Sequence, residues 1–287
     1  MNHPHLPPPL PPRPARGTLT LPAVRTVGLD APLHWLALGW RDLWRVGPLS
    51  LLYGALLAGF GGLLLALAAD QFWLLAGAFS GFLVIAPVLA TGWYALSRAL
   101  ERGEPANAAT VRKTWIRWQY SRYAVHGGYW SLVRFGLLLA LAGSGWVLTS
   151  AALITALAPQ PVHTPLDFLR HVVLAPGSHL FELWLMLGAL MAAPLFASSV
   201  VAMPLLLDRR ADVLQAVLTS WQAVLNNPAP LALWAALIML LTLLGMATVL
   251  LGLVLALPWL GHASWHAYRA LVDADSLPER LPPEGGA

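Results

Sequence analysis

A chain of 287 residues that is 58% hydrophobic and only 10% charged cannot clothe a water-soluble fold, because such surfaces draw on roughly a quarter charged residues. The formal net charge of +4 would suit a nucleic acid, but the basic residues sit beside apolar runs, so no nucleic-acid partner is expected. Cysteine is absent, which excludes disulfides, thiolate metal sites and cysteine nucleophiles.

Residues 1–30 open on a proline cluster (Pro4, Pro7, Pro8, Pro9, Pro11, Pro12 and Pro14) that cannot build a core and reads as a disordered cytoplasmic tail. No apolar run of signal-peptide kind occurs before residue 47, so no cleaved leader is expected. Apolar runs follow at 48–69, 71–97, 135–158, 180–206 and 229–268. About twenty helical residues cross a bilayer core of about 30 Å. The fifth run is twice that length, so it must fold back between Gly245 and Gly252, giving spans at 229–246 and 250–268.

The expected fold is therefore an all-α membrane protein with six transmembrane helices in three hairpins. A membrane domain over 31–273 is followed by a disordered tail, 274–287. Six crossings put every basic residue except Arg170 on one side, and loops rich in Lys and Arg stay in the cytoplasm. Both termini are then cytoplasmic.

Amphipathic helices are predicted before spans one and five. Leu33, Leu36, Ala37, Trp40, Leu43 and Trp44 form an apolar stripe, and His34, Arg41 and Arg45 lie opposite. A shift of 181 residues brings the pattern back as Leu214, Val217, Leu218, Trp221, Val224 and Leu225, with Gln215, Thr219, Gln222 and Asn226 on the other face. Asp30 and Asp212 are the expected N-caps. Pro87 and Pro258 each precede an Arg-Ala-Leu by the same interval, and Pro204 ends the fourth run similarly, which suggests a parallel internal repeat. These stripes read as helices lying on the headgroups, with a partner-docking helix as the alternative.

Candidate sites are sparse. The span cores lack ionisable residues, which argues against an ion-coupled transporter. His262 and His266, four apart on the last helix, could ligate a haem or metal; the simpler reading is a polar interfacial belt with Trp259, Trp265 and Tyr268. His163, His171 and His179 could bind a metal, but their spacing matches no compact zinc motif, and a solvated outer loop is expected. Arg41, Arg45, Arg112, Lys113, Arg117 and Arg122, with Trp115 and Trp118, suit lipid headgroups. Gly77 and Gly81, like Gly54, Gly59, Gly61 and Gly62, permit close helix packing. Pro87, Pro194, Pro204 and Pro258 can kink helices, and Pro194 lies nearest mid-span.

The segments VRTVGLDAPLHWLALGWRDL (Val24–Leu43), SRALERGE (Ser97–Glu104), PLLLDRRADVLQAVLTSW (Pro204–Trp221) and GHASWHAYR (Gly261–Arg269) carry a resemblance. Together they resemble a family of bacterial multi-pass inner-membrane proteins classed as a domain of unknown function. That resemblance implies a bacterial inner-membrane location and a helical fold of repeated hairpins. It transfers no catalytic residue.

The leading expectation is a non-enzymatic scaffold, assembly or accessory protein, with no cofactor. Its partners are the lipid bilayer and a membrane-protein partner or a second copy. The first alternative is a passive channel or transporter for an uncharged or amphipathic solute. The second is a haem- or metal-binding membrane protein using His262 and His266.

Overall fold

A computed structural model describes residues 21–67, 89–116 and 130–279. Most of the run 71–97, with Gly77, Gly81 and Pro87, lies outside the described residues, as do Arg117, Trp118, Arg122 and the side chain of Trp115. The tail residues 1–20 and 280–287 lie outside them too.

Short strand β1 (Ala23–Val24) leads into α1 (Ala31–Val46) and α2 (Pro48–Leu67). Pro32 occupies the first turn of α1, where its missing N–H leaves no bond unmade. Gly47 closes α1 at φ +70°, a conformation that disfavours other residues, and Pro48 starts α2 at once. The expected cap at Asp30 makes no side-chain bond, because its backbone is already helical. Asp212 does cap its helix, accepting from Gln215 N at 2.7 Å.

Next come α3 (Thr91–Glu101), α4 (Ala108–Ile116) and the long α5 (Trp130–Leu157). The loop after α5 holds α6 (Pro165–Phe168), opened by a capping box between Thr164 and Asp167, and one π turn over Leu169–Val173. Then follow α7 (Leu180–Ser199), α8 (Ala202–Asp208), α9 (Val213–Asn226), α10 (Pro228–Ala247) and α11 (Leu253–Leu271). Strand β2 (Val272–Asp273) and a 3-10 turn (Ala274–Ser276) complete the order.

Among the described residues, four stretches are long and apolar enough to cross a membrane: Pro48–Leu67, Arg134–Leu157, Leu180–Asp208 and Pro228–Ala247. The last helix, expected as a sixth span, is not among them. Its composition is more polar because α11 is the hub of the molecule and spends little surface on lipid. It packs against α1, α2, α3, α8 and α10. Glycines allow this approach. A Cβ on Gly39 would lie 2.5 Å from Ala263 N, one on Gly54 2.5 Å from Val254 O, and one on Gly261 2.9 Å from Trp93 Cβ. Gly61 faces Leu250, whereas Gly59 and Gly62 look into open space.

The reversal between α10 and α11 falls where the length argument puts it. Gly252 packs backbone to backbone on Gly245, and Thr248 Oγ1 accepts from Gly252 N at 2.7 Å while donating to Gly245 O at 2.9 Å. Val249 and Leu250 adopt positive φ (54° and 67°), and Leu250 is buried against Ala58 and Leu253. That burial offsets a conformation costly for residues with a Cβ.

Pro194 does not break the apolar stretch Leu180–Asp208. The interruption lies at Val200–Val201, one turn before Pro204, whose ring removes the bond to the Val200 carbonyl and crowds it. Val201 N instead donates to Ser220 Oγ of α9 at 3.3 Å. Pro194 and Pro258 both sit inside continuous helix.

The strands pair antiparallel, Ala23 with Asp273 and Val24 with Val272, so the ends of the domain lie side by side. This small ribbon was not expected in an all-α reading, nor was packed structure before residue 31 or after 273. Arg25 N donates to Leu271 O at 2.8 Å, Asn227 clamps the arm through Val27 N (2.8 Å) and Arg25 O (3.0 Å), and Ala274 and Leu277 are buried. The arm and tail carry too few apolar residues for the periodicity to register them; backbone pairing holds them.

Part of each amphipathic helix's apolar stripe faces outward, although Leu36 and Leu43 of the α1 stripe are buried. Leu33, Trp40 and Trp44 of α1 and Leu214, Leu218, Trp221 and Leu225 of α9 are exposed. The inward faces are Trp35, Leu36, Gly39, Asp42 and Leu43 in α1, and Ala216, Thr219, Ser220 and Ala223 in α9. Thr219, expected on the watery face, is buried. The outer stripes have no protein cover; large apolar residues with Gly39 and Asp42 take the inside of α1, and small or hydrogen-bonding residues the inside of α9.

Candidate functional site

Four helices deliver polar side chains to one enclosed point. Trp35, Gly39 and Asp42 share a face of α1 at spacings of four and three, and that face lies on α11. Ser50 stands in the first turn of α2, Ser97 midway along α3, and His262 and His266 one turn apart on α11. His262 is 0% exposed.

His262 Nε2 lies 2.8 Å from Ser50 Oγ, and its Nδ1 lies 2.7 Å from Ser97 Oγ. Ser97 donates to Asp42 Oδ2 at 2.9 Å, and His266 Nε2 meets the same oxygen at 2.7 Å. Burial alone would raise the Asp42 carboxyl, but His266, Ser97 and His262 outweigh it and hold it below its ordinary 3.8. An ionised carboxylate only accepts, which fixes the direction of the chain. Ser97 uses its proton on Asp42, so it accepts from His262 Nδ1–H. A neutral imidazole protonated there leaves Nε2 to accept from the Ser50 hydroxyl, and His266 donates Nε2–H to Asp42. The relay thus runs Ser50 to His262 to Ser97 to Asp42. Trp93 covers its inner end, with Nε1 3.4 Å from the Ser50 carbonyl.

A second polar cluster closes the end of the bundle that carries both strands. Asp208, at the end of α8, accepts from Tyr268 at 2.9 Å, Arg102 at 3.2 Å and Arg209 Nε at 3.1 Å. Arg98 donates to Leu207 O at 3.0 Å. Burial lowers Arg209, but the Asp208 charge beside it dominates, so its proton is held above the ordinary range. Glu101 accepts from Trp265 at 2.8 Å and Arg269 at 2.9 Å. Ends of α3, α8 and α11 are thereby tied together.

The histidine pair on α11 does share a face, as its spacing implies. It is not an interfacial belt, however: His262 is enclosed, because Ser50 and Ser97 supply partners that let an imidazole leave water. Both its ring nitrogens are engaged inside the protein, as is Nε2 of His266. His163 and His179 are exposed and His171 is half-buried. Among the described residues no three His, Asp or Glu side chains gather as a metal site. Arg41, Arg45, Arg112 and Lys113 are exposed.

Sequence reasoning passed over Asp42, Ser50, Ser97, Asp208 and Asn227. Asp42 left a legible signal, since it continues the Trp35–Gly39 face rather than the Arg41 face. The serines left none, as a hydroxyl in an apolar helix can equally bond its own backbone.

No curated protein and no solved structure matches the chain significantly. Residues 74–208 match a family model described as predicted integral membrane protein (DUF2189). That segment includes α3, α5, α7 and α8, with Ser97 of the relay and Asp208 of the ionic cluster, and it ends with the apolar stretch Leu180–Asp208. The resemblance read in the sequence is therefore to this family of predicted integral membrane proteins of unknown function, to which residues 74–208 are similar.

Proposed function

We propose that the protein is a non-enzymatic scaffold or accessory subunit of the bacterial inner membrane, crossing it six times with both termini in the cytoplasm. In this reading the segment before α3 and the α11 hub supply two crossings beyond the four apolar ones. At ~1.5 Å per residue, 19-residue α11 extends about 28 Å, close to one hydrocarbon core. The paired strands favour an even number of crossings, because they hold both domain ends on one face.

The single observation that carries the functional reading is the closure of the relay. Its donor order is that of an activated serine, yet Ser50 is 0% exposed, so its hydroxyl serves a neighbour rather than a substrate. Ser97, His262 and Asp42 likewise bond one another. The interior works as a lock that fixes helix positions, and recognition falls to the outer faces of α1 and α9.

Photo-crosslinkers placed at Leu33 and Leu218 in native membranes test this. A discrete protein adduct at either position is expected; adducts with lipid alone at both would contradict the scaffold. A fluorophosphonate probe provides the enzymatic control, and covalent labelling of Ser50 would overturn the non-enzymatic reading.

The second reading, a passive channel for an uncharged solute, draws on the interruption at Val200–Val201. Solute flux into proteoliposomes decides it, and tight vesicles would end it.

A further inference from the structure

Three guanidinium groups gather around one carboxylate where α3 and α8 end. Arg98, Arg102 and Arg209 lie 4.0, 3.2 and 3.1 Å from Asp208, whose side chain is 2% exposed. The chain's own tail brings further acids to the same arginines. Arg209 Nη2 is 3.0 Å from Asp275 Oδ1 and 3.6 Å from Glu279 Oε1. Arg102 Nη2 is 3.4 Å from the same Glu279 oxygen. A single tail oxygen therefore sits between two arginines.

The inner and outer contacts differ in kind. Asp208 is enclosed, its side chain 2% exposed. Glu279 and Asp275 are 44% and 76% exposed, and both Glu279 contacts exceed the ~2.7–2.9 Å of a close charge-assisted bond. Wet, long ion pairs add little and exchange readily. With the tail carboxylates withdrawn, Arg102 Nη2 and Arg209 Nη2 would each lose an acidic neighbour. Planar guanidinium forks match the paired oxygens of a phosphate, and such a group would take the place of the withdrawn acids.

We propose that Arg102 and Arg209 form a binding site for a phosphate-bearing anion, and that Asp275 and Glu279 occupy it as resident competitors, so that the C-terminal segment gates it. The site directly follows the apolar stretch Leu180–Asp208. That depth makes a lipid phosphodiester or a free phosphate its ligand. The tail backbone is anchored independently of those carboxylates. Arg210 N donates to Pro278 O at 3.0 Å, Arg209 Nη1 donates to Leu277 O at 3.2 Å, and Leu277 is buried. Neutralising the acids therefore opens the site without unfolding the tail.

The full chain in phosphatidylcholine nanodiscs is titrated with short-chain phosphatidylglycerol and, separately, with inorganic phosphate. Asp275→Asn with Glu279→Gln is expected to tighten binding about fivefold. Adding Arg102→Gln should return it to the level of the unmodified chain. A gain with the lipid alone identifies a headgroup site, and a gain with inorganic phosphate identifies a free-anion site; either supports the proposal. Equal binding by the unmodified, doubly and triply substituted chains overturns it. Should the double variant fail to purify, Glu279→Gln alone carries the test, and an unchanged affinity is again fatal.

Discussion

Asp42→Ala should lower the stability of the membrane domain by about 3–5 kcal/mol, the usual cost of removing one partner from a buried charged contact. Two donors, Ser97 Oγ and His266 Nε2, converge on one Asp42 oxygen in a site only 3% exposed. Their loss also leaves His262 Nδ1 bonded to a serine with no onward acceptor. Asp42→Asn is the informative companion. An amide oxygen in the same place can still accept both bonds, so this variant should lose distinctly less than the alanine. The fourteen tryptophans provide an intrinsic-fluorescence readout of melting in nanodiscs.

The same pair of proteins yields a pH dependence of known sign. The folded Asp42 carboxyl lies below its ordinary 3.8, so the ionised form favours the fold. Its contribution is complete above about pH 3.8 and fades as pH falls through the depressed folded value. The unmodified protein should therefore outmelt Asp42→Asn at neutral pH, and their curves should converge in acid. A gap that stays constant down to the acid limit would show that Asp42 carries no charge in the fold.

Asp208→Ala should be of similar size, about 3–5 kcal/mol, for a different physical reason. Here the residue removed is the shared acceptor of Arg102, Arg209 and Tyr268, and its loss leaves cationic groups crowded at a nearly dry helix junction. Asp208→Asn keeps an acceptor but no charge, and should recover only part of the loss. Because this junction ties α3, α8 and α11 together, the alanine variant should also make the C-terminal segment more susceptible to protease. A melt within experimental scatter of the unmodified protein would mean that the tail and solvent compensate for the missing carboxylate.

Much of the architecture was legible because a bilayer imposes length. Residues 229–268 had to turn, and they turn between Ala247 and Leu253. Asp212 announced the start of its helix correctly. The apolar stripes on α1 and α9 were also legible, but their meaning depends on the solvent. In lipid Trp40 and Leu218 stay outside, while Asp42 and Thr219 go in. Periodicity locates a face without saying which medium it meets. The break in the fourth span illustrates a similar ambiguity. Mid-span position favoured Pro194, yet the helix passes through it and yields before Pro204, where Ser220 offers a replacement bond.

The relay was harder to foresee because its members lie up to 224 residues apart in sequence. His262 and His266 were noticed for their spacing alone. What turns them from a ligand pair into a lock is the approach of three other helices, and that approach depends on Gly39, Gly54 and Gly261 admitting backbones to contact. Likewise, Arg25 reads as one more positive charge until Asn227 and Leu271 are found to hold its backbone.

The topology is best tested with single cysteines, which the cysteine-free chain accepts without background. Thr26→Cys and Ser276→Cys report the two ends of the domain, and Gly177→Cys reports the outer loop; all three positions are exposed. In intact spheroplasts a membrane-impermeant maleimide should label only position 177, with 26 and 276 reacting together once the membrane is opened. Labelling of 26 and 276 from opposite sides would contradict the paired strands, the even number of crossings and the docking of α1 on α11 at a single stroke.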